Sequence, residues 1–131
     1  MRILLLGDSE AGAVTPYLSS VLQPGQTTST NYQVGSRIEA WTFARVSQAL
    51  ADFPADVVLV FLGTNNYYDQ SPPDVSQVLS AIAQAGATPV WVGPTSVQGK
   101  SWPIDGWLAQ AMAQAGVAYV DTESLGIPLR D

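Results

Sequence analysis

Two residue types that often carry chemistry are missing from this chain of 131 residues, which contains neither cysteine nor histidine. Without cysteine, disulfide bonds and thiolate nucleophiles are excluded. Without histidine, the chain lacks the commonest general base and the commonest protein ligand of metals. Any mechanism for these residues therefore has to work without a thiolate or an imidazole of their own.

Charged residues are few, at 12% of the chain, with five basic residues against eleven acidic ones. The formal net charge is −6 and the basic residues form no cluster, so nucleic acid and anionic membrane surfaces are not expected as partners. No apolar run approaches the roughly 18 residues of a membrane span. The apolar run 3–6 is too short for a signal peptide, so no targeting segment is predicted and a cytoplasmic location is the default expectation.

Hydrophobic residues make up 47% of the sequence, which is enough for a sizeable core, and we expect residues 1–131 to form one domain. Apolar or β-branched segments alternate with segments of helical periodicity, which is typical of βαβ units around a parallel sheet. The predicted strands are 3–6, 26–34, 56–62, 88–92 and 117–120. The strand at 56–62 shows no polar alternation, so both of its faces are expected to be covered.

Capping signals predict where the helices begin. Thr15-Pro16 and Ser71-Pro72 each place a proline directly after a hydroxyl cap, as at the first position of a helix. Ser36 and Glu39 have the spacing of a capping box. The helices are therefore expected to run from 16 to 22, from 36 to about 51, from 72 to the glycine at 86, and from about 107 to the glycine at 116.

Three of the predicted strands are followed by residues that suit one kind of chemistry. Gly7-Asp8-Ser9 comes directly after the first strand, Gly35 after the second and Asn65 after the third. The carboxyl ends of parallel strands share one edge of a sheet, where ligands bind in open α/β folds. Acyl transfer needs a nucleophile, which Ser9 can be, and donors for the developing oxyanion, which the N–H groups of Ser9 and Gly35 and the Asn65 amide can be. Each residue alone is better explained as a turn or cap residue, so the hypothesis depends on their joint placement.

These positions resemble the sequence blocks of the SGNH hydrolases, the GDSL-type esterases and lipases. Gly7-Asp8-Ser9 matches the first block, Gly35 the second, and Gly63-Thr64-Asn65-Asn66 the Gly-x-Asn-Asp of the third, over nearly the whole chain. The resemblance implies a three-layer α/β/α, flavodoxin-like fold whose five-stranded parallel sheet has the order 2-1-3-4-5. It implies Ser9 as the nucleophile, with Ser9 N–H, Gly35 N–H and Asn65 as the oxyanion hole. The implied substrate is a small ester, such as an acetylated sugar or a short acyl ester, cleaved through an acyl-serine intermediate without a cofactor.

The chain departs from this family pattern in two places. Asn66 stands where the family has aspartate, which is expected to alter only a loop contact. The family's last block, Asp-x-x-His, is matched only by Asp131 at the final position, so we expect the sequence to stop inside that block. Hydrolysis by these residues is then expected to be impaired. The competing expectation is a non-catalytic binding or assembly domain on the same scaffold.

The family also has a helix after its histidine, and that helix is expected to be missing here. One face of the third, fourth and fifth strands would then be covered only by the helix at 16–22 and the residues after 121. These strands are rich in apolar residues on both faces, and a large bare apolar face is unusual for a monomer. A homodimer contact, or a separate segment that supplies the helix, is expected on that face.

Other interpretations fit the sequence less well. Residues 7–11 nearly match the Gly-x-Ser-x-Gly elbow of the α/β-hydrolases, but alanine replaces the last glycine. No glycine-rich phosphate loop is present. Asp8, Glu10, Asp121 and Glu123 would suit an oxygen-ligand metal site, but solvated loop carboxylates explain them better, and no metal is expected.

The four tryptophans raise the question of a sugar-stacking site. Trp41, Trp91 and Trp107 are expected in the core. Trp102 lies beside a proline in a predicted loop, which makes it the best candidate among the four for a ligand contact.

Overall fold

The computed structural model describes residues 1–18, 20–94 and 103–121. Its strands are β1 (Arg2–Gly7), β2 (Thr27–Tyr32), β3 (Val57–Phe61), β4 (Thr88–Val92) and β5 (Ala118–Val120). Its α-helices are α1 (Ser9–Leu18), α2 (Phe43–Asp52), α3 (Ser76–Gln84) and α4 (Pro103–Ala115), with short 3-10 turns at Ile38–Ala40 and Thr64–Asn66. All strands pair in parallel in the order β2-β1-β3-β4-β5, so the predicted fold class and strand order are confirmed.

The end of β1 fixes how the chain enters α1. Gly7 pairs with Tyr32 on one side and with Phe61 on the other. A Cβ atom at Gly7 would collide with the backbone carbonyl oxygen of Phe61, and the residue has a φ of 153°, so only glycine fits there. The next residue, Asp8, donates its N–H to the same carbonyl at 3.0 Å. The three strand ends are therefore held close together at the point where α1 begins.

The face of the sheet covered by α2, α3 and α4 contains the main core. The strand residues on this face alternate with those on the other, as the pleat of a sheet requires. The apolar sides of the three helices pack here, and the observed helices overlap the predicted ones although their starts differ. The buried members include Leu4, Leu6, Val46, Leu50, Val58, Val60, Val78, Ile82, Trp91, Leu108 and Met112.

The opposite face is covered less completely. Helix α1 contacts β1 and β2 and reaches β3, and Leu5 and Ala11 are fully buried there. Other apolar side chains of this face are only half-buried, including Ile3, Val57, Leu59, Phe61, Val90, Val92 and Val120. The expectation that both faces of β3 are covered is therefore correct for one face only.

Helix α1 begins at Ser9, so the prediction of a helix that starts at Pro16 is wrong. The carboxylate of Asp8 accepts the Glu10 N–H at 2.9 Å and caps the helix directly after the strand. Pro16 lies inside the helix, where it removes one backbone hydrogen bond and strains the preceding turn. The cap at Asp8 and the packing of α1 on the sheet outweigh that cost.

The predicted capping box at Ser36 and Glu39 does not start α2. The helix begins at Phe43, seven residues after Ser36, and the hydroxyl of its N-cap residue Thr42 accepts the Arg45 N–H at 3.2 Å. The Ser36 hydroxyl is occupied elsewhere, because it accepts the indole N–H of Trp41 at 3.0 Å. A motif that satisfies the spacing of a capping box is thus used for tertiary contacts instead.

Helix α3 also begins later than the predicted start at Ser71-Pro72. Two successive prolines, Pro72 and Pro73, disfavour helical geometry in the residues before them. The carboxylate of Asp74 accepts both the N–H and the hydroxyl of Ser76, the first residue of the helix. Helix α4 begins at Pro103, a favoured first position.

Candidate active site

Ser9 is the first residue of α1 and is exposed at the carboxyl edge of the sheet. The first N–H groups of a helix have no acceptor within the helix, and the helix dipole makes this end positive. Ser9 thus combines an exposed hydroxyl with a backbone N–H at the end of a helix that favours negative charge. This is the arrangement that the nucleophile and one oxyanion donor require.

Asp8, directly before Ser9, is 1% exposed. Burial raises the pKa of its carboxyl to about 6, against the lowering effect of the Glu10 N–H that binds it. Only Oδ1 accepts that hydrogen bond, and Oδ2 has no partner within the described residues. Asp8 is therefore a cap residue held in an unfavourable environment for charge, under the first turn of α1.

Gly35 and Asn65 lie on adjoining loops of the same edge. Gly35 is exposed and has a φ of 76°, a left-handed conformation that favours glycine. Asn65, in the turn after β3, donates its side-chain N–H to the carbonyl oxygen of Ser36 at 3.0 Å, directly next to Gly35. An amide group carries two N–H donors, so this contact fixes the side chain and leaves a second donor for a ligand.

The strand ends connect these loops to the start of α1. Gln33, beyond the end of β2, donates its N–H to the carbonyl oxygen of Gly7 at 2.9 Å, and Asp8 bonds to the end of β3. Two of the predicted site residues, Gly35 and Asn65, thus belong to loops that are hydrogen-bonded to each other. Ser9 lies on the segment that both of these loops flank. The fourth, Asp131, lies outside the described residues, as do Trp102 and Glu123.

Asn66 is fully buried and makes three hydrogen bonds, two of which connect its loop to the loop after β2. Its Oδ1 accepts the Ile38 N–H at 3.0 Å, and its Nδ2 donates to Glu39 at 2.6 Å and to Asp69 at 2.8 Å. An aspartate here would point acceptor oxygens at two carboxylates, whereas the amide donates to both. Asn66 therefore makes more extensive contacts than the single altered loop contact that the resemblance predicts.

Arg37 completes this network. Its guanidinium donates to Glu39 at 2.8 Å, to Asp69 at 2.5 Å and to the carbonyl oxygen of Asn65 at 2.9 Å. The hydrogen bond to Asp69, followed by the one to Glu39, raises the pKa of Arg37. Partial burial acts to raise the pKa of Asp69, and the hydrogen bonds from Asn66 and Arg37 outweigh it and lower that pKa. We call Arg37, Glu39, Asn66 and Asp69 the Arg37 cluster. It holds the carbonyl oxygen of Asn65 and the side chain of the next residue, Asn66.

One groove elsewhere in the described structure lacks the residues of a catalytic site. A groove of about 430 Å³ lies between α2 and α3, lined by Phe43, Ser47, Leu50, Ala51, Ala81, Gln84 and Ala85. It has no charged or nucleophilic side chain suited to catalysis apart from one serine hydroxyl, and none of the predicted site residues. Among residues 1–18, 20–94 and 103–121, no three acidic side chains come together in a way that could hold a metal ion. None of the described helices is long and apolar enough to cross a membrane.

Solved structures with the same architecture are numerous. The structure of TesA matches with a TM-score of 0.71 at 19% identity, over 91% of this chain and 77% of that one. The esterase EstA from Pseudoalteromonas sp. matches with a TM-score of 0.70 at 14% identity, over 91% and 75% of the two chains. Axe2, an acetyl xylan esterase from Geobacillus stearothermophilus, matches with a TM-score of 0.65 at 16% identity, over 92% and 76%. The chain has the SGNH hydrolase fold.

No protein-family model and no curated protein sequence matches the chain. The comparison that supports the SGNH hydrolase fold is therefore the one with solved structures. At identities of 11 to 19%, the likeness concerns the fold, and several of the neighbours that carry it are described as esterases or as a lipase/acylhydrolase. What the chain's own residues do at the carboxyl edge has to be argued from their geometry.

Two features of this edge are missed by the sequence reasoning. One is the Arg37 cluster, in which Asn66 donates to Glu39 of the other loop and to Asp69 of its own loop. The other is Tyr32, the last residue of β2, whose ring lies on α1 next to Gly12. Both depend on which loops meet in space, and spacing along the chain does not reveal that.

Proposed function

We propose that this chain is a serine ester hydrolase domain in which Ser9 attacks the acyl carbon of a small ester. The observation that carries the proposal is the position of Ser9 at the exposed N-terminus of α1, flanked by the hydrogen-bonded loops of Gly35 and Asn65. The Ser9 N–H, the Gly35 N–H and the second N–H of the Asn65 amide are the proposed oxyanion donors. The fold supports this assignment because its solved neighbours include proteins described as esterases and as a lipase/acylhydrolase.

In the proposed reaction, the Ser9 oxygen bonds to the acyl carbon and the bond from that carbon to the alcohol oxygen breaks. The alcohol leaves with a proton, and water then releases the acid from the acyl-serine. The Ser9 hydroxyl must lose its proton, and the 131 residues contain no histidine to accept it. Asp131 is the carboxylate that the resemblance offers, and solvent hydroxide is the remaining base. We propose that this lack of an imidazole makes hydrolysis by the chain slow.

The proposed substrate is a short acyl ester or an acetylated sugar. Two of the solved neighbours are described as acetyl xylan esterases, which supports an acetyl group as the acyl part. No cofactor takes part in the proposed reaction.

Hydrolysis of p-nitrophenyl acetate by the purified chain tests the proposal. Loss of a triad member leaves serine hydrolases with roughly 10³–10⁴-fold catalysis over water. The part of this slow release of p-nitrophenolate that passes through Ser9 should rise with pH and disappear in Ser9→Ala, while Ser20→Ala, the matched change at an exposed serine just beyond the end of α1, should leave the rate unchanged. A rate that Ser9→Ala does not alter would contradict the proposal. Turnover at ordinary enzyme rates that needs Ser9 would show that the chain has an effective base.

A second candidate function is a non-catalytic binding or assembly domain on the same scaffold. The absence of histidine from all 131 residues favours it, because a binding domain needs no base. The two functions differ in what Ser9 does to an ester. A binding domain would hold the ester or sugar with no acyl-serine, and Ser9→Ala would leave the binding constant unchanged.

A further inference from the structure

Asn65 is held at two points by consecutive residues of the loop after β2. Its side-chain N–H donates to the carbonyl oxygen of Ser36 at 3.0 Å, and its own carbonyl oxygen accepts an N–H of the Arg37 guanidinium at 2.9 Å. One hydrogen bond would leave the residue free to turn about it, whereas one bond on the side chain and one on the backbone fix its direction. The direction of the second Asn65 N–H, the proposed oxyanion donor, is therefore set by the other loop.

The backbone bond depends on where the Arg37 side chain lies. An arginine side chain has many rotamers, and this one is 44% exposed, so it needs partners to stay in one place. Two carboxylates supply them: Nε donates to Oε2 of Glu39 at 2.8 Å, and Nη2 donates to Oδ1 of Asp69 at 2.5 Å. These two bonds leave Nη1 directed at the carbonyl oxygen of Asn65.

Asn66 binds the same two carboxylates from inside the protein. Its Nδ2 donates to Oε1 of Glu39 at 2.6 Å and to Oδ2 of Asp69 at 2.8 Å, which are the oxygens that Arg37 does not use. Each carboxylate therefore accepts one N–H from the exposed arginine and one from the fully buried amide. A carboxylate in place of this amide would face both of the others without a proton to donate.

We propose that Arg37 and Asn66 are positioning residues, which aim the Asn65 amide at the oxyanion that forms when Ser9 attacks an ester. The inference rests on the proposed function, since it needs Ser9 as the nucleophile and Asn65 as a donor. Arg37 acts by holding the Asn65 carbonyl oxygen, and Asn66 acts by holding the two carboxylates that hold Arg37. Direction matters because a donor stabilises an oxyanion only when it points at the position where the charge develops.

The rate at which p-nitrophenyl acetate acetylates Ser9, followed by peptide mass spectrometry, measures this positioning. Loss of one oxyanion donor slows acyl transfer by roughly 10²–10³-fold, so Asn65→Ala sets the largest loss to expect. In Arg37→Gln the donor is present but is held at one point only, and we expect a loss of about tenfold. The limiting rate at high ester concentration should fall, while the concentration that gives half of that rate should not change, because the donor acts in the transition state.

Arg45→Gln is the matched control for Arg37→Gln. It makes the same change of charge on α2, where the guanidinium lies over the ring of Trp41 and takes no part in the Arg37 cluster. Its rate of Ser9 acetylation should equal that of the unchanged chain. A tenfold loss in Arg45→Gln as well would mean that net charge, and not positioning, controls the rate.

Combined substitutions separate positioning from a general effect on the fold. If Arg37 acts through Asn65, then Arg37→Gln should cause no further loss in a chain that already carries Asn65→Ala, because no amide is left to aim. A general effect on folding would slow both chains by the same factor. Since the Arg37 side chain is 44% exposed, this comparison does not depend on a change in the core.

The role of Asn66 is tested by a change and its repair. Asn66→Asp sets a third carboxylate against Glu39 and Asp69 and should slow the acetylation of Ser9, because like charges repel. Adding Glu39→Gln gives the new carboxylate an amide N–H to accept and should recover most of the lost rate. A double variant that is no faster than Asn66→Asp would refute the role of Asn66.

The outcomes distinguish this inference from the function on which it rests. If Ser9 is acetylated and Arg37→Gln slows the reaction equally with and without Asn65→Ala, the positioning role is refuted while the ester hydrolase proposal stands. The same conclusion follows if Asn65→Ala leaves the rate unchanged. If Ser9 is not acetylated in the unchanged chain, both proposals are refuted.

Discussion

At the scale of single residues, the candidate site combines well-satisfied and poorly satisfied polar groups. Asn66 makes three hydrogen bonds and Arg37 three, and these fix the loops around Asn65. Asp8 is the contrasting case, because its Oδ2 is buried and has no partner within the described residues. A buried, singly bonded carboxylate costs stability when it is charged. That cost lies directly beneath the proposed nucleophile.

The pKa of Asp8 predicts a pH dependence of folding. Its value of about 6 in the folded chain lies above the ordinary 3.8, so the folded state holds the proton more tightly than the unfolded state. The contribution of Asp8 to stability is therefore full below about pH 4 and falls as the pH rises to 6. A shift of about two units corresponds to roughly 3 kcal/mol at neutral pH.

Asp8→Asn should abolish this loss of stability at higher pH, because the asparagine side chain is uncharged and its amide oxygen still caps α1. Urea unfolding at pH 4, 6 and 7.5 should show the variant gaining stability over the unchanged chain only as the pH rises. Glu10→Gln is the matched control, since it removes the neighbouring charge but leaves Asp8 buried, and its effect should be smaller. Equal stability differences at pH 4 and 7.5 would show that Asp8 does not titrate in this way.

At the scale of elements, the position of the α2 start is the clearest local test of the structure. Thr42→Ala removes the hydroxyl that accepts the Arg45 N–H and should lower the free energy of unfolding by about 1 kcal/mol. Thr42→Ser keeps that acceptor and should cost much less. Chemical unfolding of the two variants measures the difference. A Thr42→Ala variant as stable as Thr42→Ser would mean that the helix does not begin there.

The sequence alone predicts the strands well and the helix starts poorly, for physical reasons. β3 and β4 are short apolar runs bounded by glycine or polar residues, so they are visible without tertiary information. The start of α1 is different, because two local signals compete: Asp8 after the strand, and Thr15-Pro16 seven residues later. Packing of α1 on β1 and β2 decides between them. Ser36 shows the same limit, since its capping pattern yields to the indole of Trp41.

The residues of the candidate site divide in the same way, into those that local sequence predicts and those that depend on tertiary contacts. The placement of Ser9, Gly35 and Asn65 after strand ends could be predicted, because each follows a recognisable strand and parallel strands end at one edge of the sheet. The Arg37 cluster and Tyr32 could not, because their partners lie in other loops or in α1.

At the scale of the whole molecule, the two faces of the sheet differ in how well they are covered. Within residues 1–18, 20–94 and 103–121, α2, α3 and α4 bury one face, while the other has α1 over β1 and β2 and half-buried valines on β4. Exposed apolar surface of this kind favours association. The homodimer or complementing segment predicted on this face stays a prediction.

Sedimentation and dye binding check the prediction about this face. We expect the chain to bind an apolar fluorescent dye and to sediment with a concentration-dependent mass. Val90→Thr, which makes the half-buried face more polar without changing shape much, should weaken both effects, and Val34→Thr, a matched change at an exposed loop valine, should not. A compact monomer at all concentrations that binds no dye would show that the face is closed.

The central claim is that Ser9 is an acyl-accepting nucleophile, and the most direct measurement is the mass of the chain after brief exposure to p-nitrophenyl acetate. Without an imidazole to activate water, the acyl-serine should be released slowly and accumulate. The account predicts one added acetyl group, mapped by peptide sequencing to Ser9 and absent from Ser9→Ala. Acetylation spread over lysines and the N-terminus with Ser9 unmodified would contradict it.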